Sequence, residues 1–175
     1  MSEFETAFPR LLTELHKLPF DYAGGEGIDF EPYAEFQSSS ETASWVQAWT
    51  GDRDLTGSEY RVFGQDASGG NAAFWLVRPN AELLEQPIVF FGSEGELGVV
   101  ARNFADYLWL LAGNFGPYEA VAYPGLEREA NDAFTAFAKD HAAASRKLPE
   151  EVIAEARREF PNFEKDFRAL CRYGG

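Results

Sequence analysis

The sequence is poor in the residues that most often build metal and redox sites. Its 175 residues include one cysteine and two histidines. Because a disulfide needs two cysteines, Cys171 alone excludes an internal disulfide framework and any zinc site with several cysteine ligands. His16 and His141 lie far apart, and neither has a second ligand three or four residues away. We therefore predict no metal site and no cofactor.

Basic residues are also scarce. The chain has 15 Lys and Arg residues against 29 Asp and Glu residues, which gives a net charge of −14 at pH 7. Binding to a nucleic-acid backbone depends on clustered Lys and Arg, so we predict no nucleic-acid partner. The sequence has no run of about 18 apolar residues that could cross a membrane. Its first residues lack the basic start and apolar stretch of a secretory signal, so we expect a cytoplasmic protein without a membrane partner.

Material for a hydrophobic core is abundant, since 45% of the residues are hydrophobic and 15% are aromatic. This composition argues against disorder. The apolar spacing is helical near the N-terminus, strand-like in the middle third and helical again towards the end. The order predicts an α+β fold, with a twisted, mainly antiparallel sheet of about five or six strands and helices on one face. We treat residues 1–175 as one domain, in which 116–175 form a helical C-terminal extension.

Turn residues and helix-capping signals set the limits of the predicted elements. The first helix begins near Ser2 or near Phe8, and an edge strand follows around Ile28 and Phe30. A polar run before Trp45 leads into a short helix or an irregular covering segment. The four main strands are predicted at 59–63, 72–78, 87–92 and 96–101, and further helices at 103–112, 126–141, from 149 and from 161. One core is expected to contain Trp75, Phe90, Val99, Phe104, Leu108 and Leu111.

Two glycine-rich segments connect predicted strands, but neither matches a nucleophile elbow or a phosphate-binding loop. We interpret them as hairpin turns. Asp66 lies in the first turn, and Glu94 and Glu96 flank the second. A pair of carboxylates could serve a hydrolase, and we keep this as a third, weaker hypothesis. With 29 acidic residues some pairs will always be close, so a solvated acidic surface is the simpler interpretation.

A series of motifs between Glu59 and Phe115 resembles the SUKH superfamily, which includes bacterial toxin-immunity proteins and fungal cell-wall-synthesis regulators. Phe63-Gly64 precedes an Asp- and Gly-rich turn and a core strand, and Gly92-Ser93 opens the next hairpin. A strand and a helix reading Asn-Phe-x-x-Tyr-Leu from Asn103 follow. The Leu-Pro-x-Asp-Tyr stretch at 18–22 is also similar to the family pattern. The resemblance covers about residues 15–115, and its motifs concern the fold rather than catalysis.

The resemblance implies an immunity protein, which neutralises a cognate protein toxin by non-covalent binding and has no catalytic residues. An acidic protein could occupy the basic cleft of a nuclease toxin. A regulatory scaffold that binds another partner is the alternative, and we expect a monomer or a weak dimer. Tryptophans in a covering segment, such as the one that follows the polar run at 38–42, more often belong to the core. Two of them could instead anchor the partner protein. The candidate partner-binding residues are Asp52, Asp54, Asp66, Glu94, Glu96, Trp45 and Trp49.

Overall fold

A five-stranded sheet with helices on both faces forms the frame of the protein. The computed structural model describes residues 7–172. Within this range the strands are β1 (Glu31–Pro32), β2 (Tyr60–Gln65), β3 (Asn71–Trp75), β4 (Ile88–Phe91) and β5 (Leu97–Ala101). The α-helices are α1 (Arg10–Leu15), α2 (Ser39–Thr50), α3 (Phe104–Ala112), α4 (Pro117–Ala122), α5 (Asp132–Ala142), α6 (Pro149–Glu159) and α7 (Phe163–Leu170).

The strands follow one another across the sheet in chain order, and every neighbouring pair is antiparallel. In the central pair, Asn71 lies opposite Phe91 and Ala73 lies opposite Val89. This confirms the predicted α+β class and the mainly antiparallel sheet, and the four main strands lie within a few residues of their predicted positions. Short connections explain the arrangement, since parallel neighbours would need long crossovers.

The edge strand differs from its prediction. The alternation around Ile28 and Phe30 places both side chains in the interior, but the strand itself is only Glu31–Pro32. Proline has no N–H to donate to a ladder, so it is found at sheet edges and limits the pairing there. The result is a two-residue strand that pairs with the end of β2.

Helices cover both faces of the sheet, whereas the sequence analysis expected them on one face. Successive side chains of a strand point to opposite faces, so Phe74 and Phe90 pack on one face and Ala73 and Phe91 on the other. The first face packs against α1, α3 and α5, and this cluster includes Leu12, Leu15, Phe104, Leu108, Leu111, Phe134 and Ala138. The second face packs against α2 and α7, and its cluster includes Val46, Tyr60, Val62, Val89, Val99, Phe163 and Phe167.

The expectation of one shared core is wrong for two residues. Phe90, Phe104, Leu108 and Leu111 lie together in the first cluster, whereas Val99 and Trp75 belong to the second. The reason is the strict alternation along a strand, because each of these residues is one position away from a residue that faces α3. The register, with a bulge between Ile88 and Val89, decides which residue faces which side.

The helical boundaries agree with the sequence where a capping residue is clear. Asn103 caps α3 by accepting a hydrogen bond from the N–H of Asp106, and Pro149 opens α6. The possible start of the first helix at Ser2 lies outside the described residues, and α1 begins just after Pro9. None of the helices in the described part of the chain is long and apolar enough to cross a membrane.

The segment before α5 is the largest departure from the predicted helices. The predicted helix from Leu126 begins six residues later, at Asp132, and the short helix α4 was not predicted. Pro124 and Gly125 interrupt the segment, and Asn131 supplies the cap of α5. Helices beyond residue 116 nevertheless contribute to both clusters, with Phe134 in the first and Phe167 in the second.

A buried ion network ties α3 to α6. Asp106 is 1% exposed, and its carboxylate accepts hydrogen bonds from Lys147 at 2.8 and 3.0 Å and from Arg102 at 3.3 Å. Lys147 and Arg102 also pair with Glu155 on α6. Partial burial by itself would lower the pKa of Lys147, but the hydrogen bonds that Lys147 donates to Asp106 and Glu155 outweigh this effect and raise the pKa. Four charges therefore hold the C-terminal helices in place.

Candidate functional site

Two hairpin turns lie side by side at one end of the sheet, which we call the hairpin end. The β2–β3 turn comprises residues 66–70 and the β4–β5 turn residues 92–96. They are adjacent because β3 and β4 are neighbours, and the backbones approach so closely that a Cβ at Gly70 would lie 3.0 Å from the Cα of Gly92. The sequence correctly placed Asp66 in the turn next to that of Glu94 and Glu96.

Asp66 is not part of the surface, which corrects its assignment as a partner-binding residue. It is 1% exposed. Its carboxylate accepts hydrogen bonds from the Ser68 hydroxyl at 2.7 Å and from the Gly70 N–H at 2.5 Å. Aspartate commonly closes a turn by bonding to groups a few residues ahead. The residue therefore stabilises the β2–β3 turn from within.

Glu94 and Glu96 differ in exposure although they flank the same turn. Glu94 is exposed, whereas Glu96 is half-buried and its Oε1 is enclosed, with no hydrogen-bond partner among the described residues. Glu96 lines a groove of about 420 Å³ with Tyr118, Tyr123 and Arg168, among others. A hydrogen bond to Tyr123, burial and the nearby negative charges together raise the pKa of Tyr118 to about 12. The site thus combines carboxylates with two tyrosine rings.

Asp52 and Asp54 lie in the loop after α2 and have different roles. Asp52 accepts a hydrogen bond from the N–H of Asp54 at 3.0 Å and an ion pair from Arg172 at 3.0 Å. The N–H of Asp54 and then Arg172 keep the pKa of Asp52 below its ordinary value. Asp54 is exposed. Asp52 therefore holds Arg172, and Asp54 is the residue of the pair that is open to a partner.

Helix α7 connects the two predicted acidic segments. Arg168 donates a hydrogen bond to the Gly95 carbonyl at 2.9 Å and forms an ion pair with Glu164 at 3.0 Å. Four residues later, Arg172 pairs with Asp52, and its N–H bonds to the Thr50 carbonyl at 2.6 Å. The structure therefore places the turn at 92–96 beside α7 and the loop at 52–54 beside the residue that follows its C-terminal cap.

Trp45 and Trp49 pack mainly in the second cluster. The ring centroid of Trp45 lies 4.9 Å from that of Phe91, and its Nε1–H donates to Gln37 Oε1 at 2.8 Å. Trp49 contacts the rings of Phe91 and Phe167 at 5.8 and 5.7 Å. Both residues are half-buried. Their packing favours the core interpretation over the anchor interpretation.

A second acidic surface, which we call the acidic groove, lies between residues 21–27 and 126–132. The groove has a volume of about 770 Å³, and the exposed side chain of Leu126 forms part of its wall. Its charged lining consists of Asp21, Glu26, Glu127, Glu129, Asp132 and Arg128. The sequence analysis did not identify it, because the two segments are a hundred residues apart and neither carries a motif.

Arg128 forms no ion pair with the acids of the groove among the described residues, because its guanidinium is bound to backbone carbonyls. Its guanidinium donates hydrogen bonds to the carbonyls of Gly25 and Asn114, each at 3.0 Å, and also to Gly27. It further lies over the ring of Phe115 at 5.6 Å. Arg128 therefore acts as a clamp between the two sides of the groove, and the carboxylates remain at the surface around it.

The acidic groove and the hairpin end are joined through Asp29. The N–H of Asp29 donates to Glu119 at 3.1 Å, and its carboxylate accepts from the N–H of Ala67 in the β2–β3 turn at 2.8 Å. Burial raises the pKa of Glu119, although N–H groups of Asp29 and Gly116 oppose this effect. Both oxygens of Glu119 are thereby used to hold the backbone, so it is a structural carboxylate.

The distribution of charge along the chain accounts for the acids of the hairpin end and of one wall of the acidic groove. Residues 18–100 include 14 acidic and 3 basic residues, a net charge of −11, and residues 101–172 include 12 and 10, a net charge of −2. This local imbalance was the signal available in the sequence. Among residues 7–172, no group of three or more His, Cys, Asp and Glu side chains is arranged to hold a metal ion. Comparison with family models, with curated proteins and with solved structures found no match to this chain.

Proposed function

We propose that this protein is an immunity protein that neutralises a cognate toxin by non-covalent binding at the hairpin end and the acidic groove. The observation that carries the proposal is the concentration of exposed, unpaired carboxylates there. Glu94 at the hairpin end is exposed, and so are the acids of the groove, and none of these forms an ion pair with another described residue. The groove acids are Asp21, Glu26, Glu127, Glu129 and Asp132. The motif resemblance to the SUKH superfamily supports the same function.

The physical basis is electrostatic attraction followed by contact with a few aromatic anchors. A nuclease toxin binds phosphate and therefore presents a positively charged cleft. A strongly acidic surface increases the rate of encounter with such a cleft and opposes the binding of acidic partners. Tyr22 and Tyr123 are more than half exposed, with exposed fractions of 56% and 53%. Tyrosines of this kind are frequent hot spots in protein interfaces.

The proposed action is occlusion of the toxin's active site or of an adjacent surface. It requires no covalent step, cofactor or nucleic acid. We place the protein in the cytoplasm, where a toxin would act, and we expect it to bind as a monomer or weak dimer.

Binding kinetics across a salt series test this proposal. The probe is the product of the gene adjacent to this one, and the association rate is measured between 0.01 and 0.1 M salt. The Debye length falls from about 30 Å to about 10 Å over this range. We expect the association rate to fall at least about tenfold, because steering by exposed charges is screened.

Charge-reversal variants locate the surface. Glu94→Lys and Glu26→Lys should each slow association, whereas Asp140→Lys should leave it unchanged. Asp140 is an exposed acid on α5 with no ion pair among the described residues, so it matches the other two in charge and exposure. Glu155 and Glu159 are unsuitable controls because they pair with Lys147 and Arg78. A salt-independent rate that all three variants share would overturn the proposed surface, and the absence of any complex would overturn the proposed function.

A further inference from the structure

One histidine is enclosed by aromatic rings between helix α1 and the sheet. His16 follows α1 directly and lies at its C-terminal end. Four phenylalanine rings surround the imidazole, with centroid distances of 5.7 to 6.2 Å. They are Phe8, Phe20, Phe30 and Phe63. The phenylalanines come from four separate parts of the chain, so the imidazole lies at the point where these parts meet.

The hydrogen bonding of His16 fits a neutral ring. Nδ1 lies 2.7 Å from the Tyr33 carbonyl oxygen, which can only accept, so Nδ1 carries a proton and donates. Nε2 is enclosed and has no hydrogen-bond partner among the described residues. A second proton on the enclosed Nε2 would therefore find no acceptor in the described part of the chain, and the positive charge would be poorly solvated.

The segment bound by His16 covers the free edge of the sheet. β1 pairs with only the last part of β2. Beyond it, the N–H of Tyr33 donates to the Phe63 carbonyl at 3.0 Å and the N–H of Gln37 donates to the Val62 carbonyl at 2.9 Å. Residues 33–37 thus occupy the position of an edge strand, and unpaired edges tend to pair with other chains.

We propose that His16 is an acid-sensitive latch, which holds α1 and residues 33–37 against the sheet while it is neutral and releases them when it is protonated. The latch is independent of the proposed toxin binding. The neutral imidazole packs among the aromatic rings and donates its Nδ1–H to the Tyr33 carbonyl. Its protonated form places a cation among four phenylalanines, which favours the open arrangement in which water reaches the ring.

The direction of the pH effect follows from the burial of the ring. Burial lowers the pKa of His16, and the hydrogen bond to Tyr33 opposes this effect only in part. The elements around the ring carry the ionisable side chains Glu14, Lys17, Asp29, Glu31, Tyr33 and Arg61. Burial and the Tyr33 carbonyl, rather than these charges, govern the pKa of His16. Because the folded-state pKa lies below the unfolded value of about 6.5, the stability that this residue contributes is complete above about pH 6.5 and is lost as the pH falls towards the folded-state pKa.

An NMR titration of the wild-type protein tests the latch without any substitution. The chain has only two histidines, and His141 is exposed, so it provides an internal control. We expect the His16 resonance to titrate below about pH 6.5 and amide exchange in α1 and in residues 33–37 to rise over the same range, more than exchange in β3 and β4. A His16 resonance that titrates at or above about pH 6.5, or unchanged amide exchange in these segments, would overturn the proposal.

Unfolding experiments with two variants provide the second measurement. A folded-state pKa below the unfolded value raises the equilibrium constant for unfolding as the pH falls below both values, by a factor that grows with the difference between the two pKa values. His16→Gln keeps a donor for Tyr33 but cannot be protonated, so it should lose most of this pH dependence between pH 7 and 5. His141→Gln should retain the full pH dependence. Equal pH dependence in the two variants would contradict the latch, and the wild-type titration decides the matter if His16→Gln does not fold.

Discussion

Residues 18–100, which form the sheet, and residues 101–172, which form the C-terminal helices, use their acidic residues differently. The first region carries a net charge of −11 and the second −2. In the second region Asp106, Glu155, Glu159 and Glu164 all form ion pairs, whereas Asp52 is the paired acid of the first region among the described residues. Ion pairs to carboxylates are thus more frequent in the second region, whereas the first region carries the larger unbalanced negative charge.

This difference teaches that burial and pairing, rather than the number of acidic residues, decide what a carboxylate does. A buried carboxylate with donors around it costs stability when it is removed, because its partners are left unsatisfied. An exposed, unpaired carboxylate contributes little to stability but adds to the long-range potential. The comparison between the two regions can therefore be tested by stability and by association kinetics separately.

The largest effect is expected in the buried network of the C-terminal region. Asp106→Ala should lower the free energy of unfolding by about 3–5 kcal/mol, because it leaves Lys147 and Arg102 without their common buried partner. Chemical denaturation measures the change. Asp140→Ala, on an exposed position of α5, is the control and should change stability by less than about 0.5 kcal/mol. A comparable loss in both variants would mean that the network is not what holds the helices.

A slightly smaller effect is expected where α3 meets the sheet. Leu108→Ala should lower the free energy of unfolding by about 2–5 kcal/mol, because Leu108 is 2% exposed and its removal leaves a cavity in the first cluster. Phe104→Ala should have an effect of about 3–5 kcal/mol for the same reason. The exposed Leu148, at 57% exposure, provides the matched control for a leucine substitution. An unchanged unfolding midpoint in Leu108→Ala would show that α3 is peripheral to the core.

Much of the sheet could be predicted because its signals are local. Turn glycines, short connections and apolar runs are sufficient to place strands such as Ile88–Phe91 and to make neighbours antiparallel. Which face a residue occupies depends on the register between strands, and a bulge shifts that register. Trp75 and Val99 were assigned to the wrong cluster because side chains alternate between the faces, so each points away from the side that its neighbour Phe74 or Val100 occupies. Leu108 on the following helix was assigned correctly.

The candidate site was predictable only in part for a similar reason. The adjacency of the two turns follows from the hairpins, but the burial of Asp66 depends on how its own turn closes. An Asp followed by Ser68 and Gly70 was the local signal for such a turn. The acidic groove brings together segments a hundred residues apart through Arg128, and no local pattern identifies a contact of that kind.

The smallest effect is expected within the sheet region, where a buried and an exposed carboxylate lie in two neighbouring turns. Asp66→Ala should lower the free energy of unfolding by about 1–3 kcal/mol, because the N–H of Gly70 and the hydroxyl of Ser68 lose a buried acceptor. Glu94→Ala, at an exposed position of the next turn, should change it by less than about 0.5 kcal/mol. If the proposed toxin binding holds, the order should reverse in association at low salt, because the exposed Glu94 would then steer the encounter from the surface. Urea denaturation of the two variants tests the expected order of stability loss. Association rates of the same two variants test the expected order in binding. If Asp66→Ala left stability unchanged and slowed association as much as Glu94→Ala, the distinction between structural and surface carboxylates would fail at the one place where the two lie closest together.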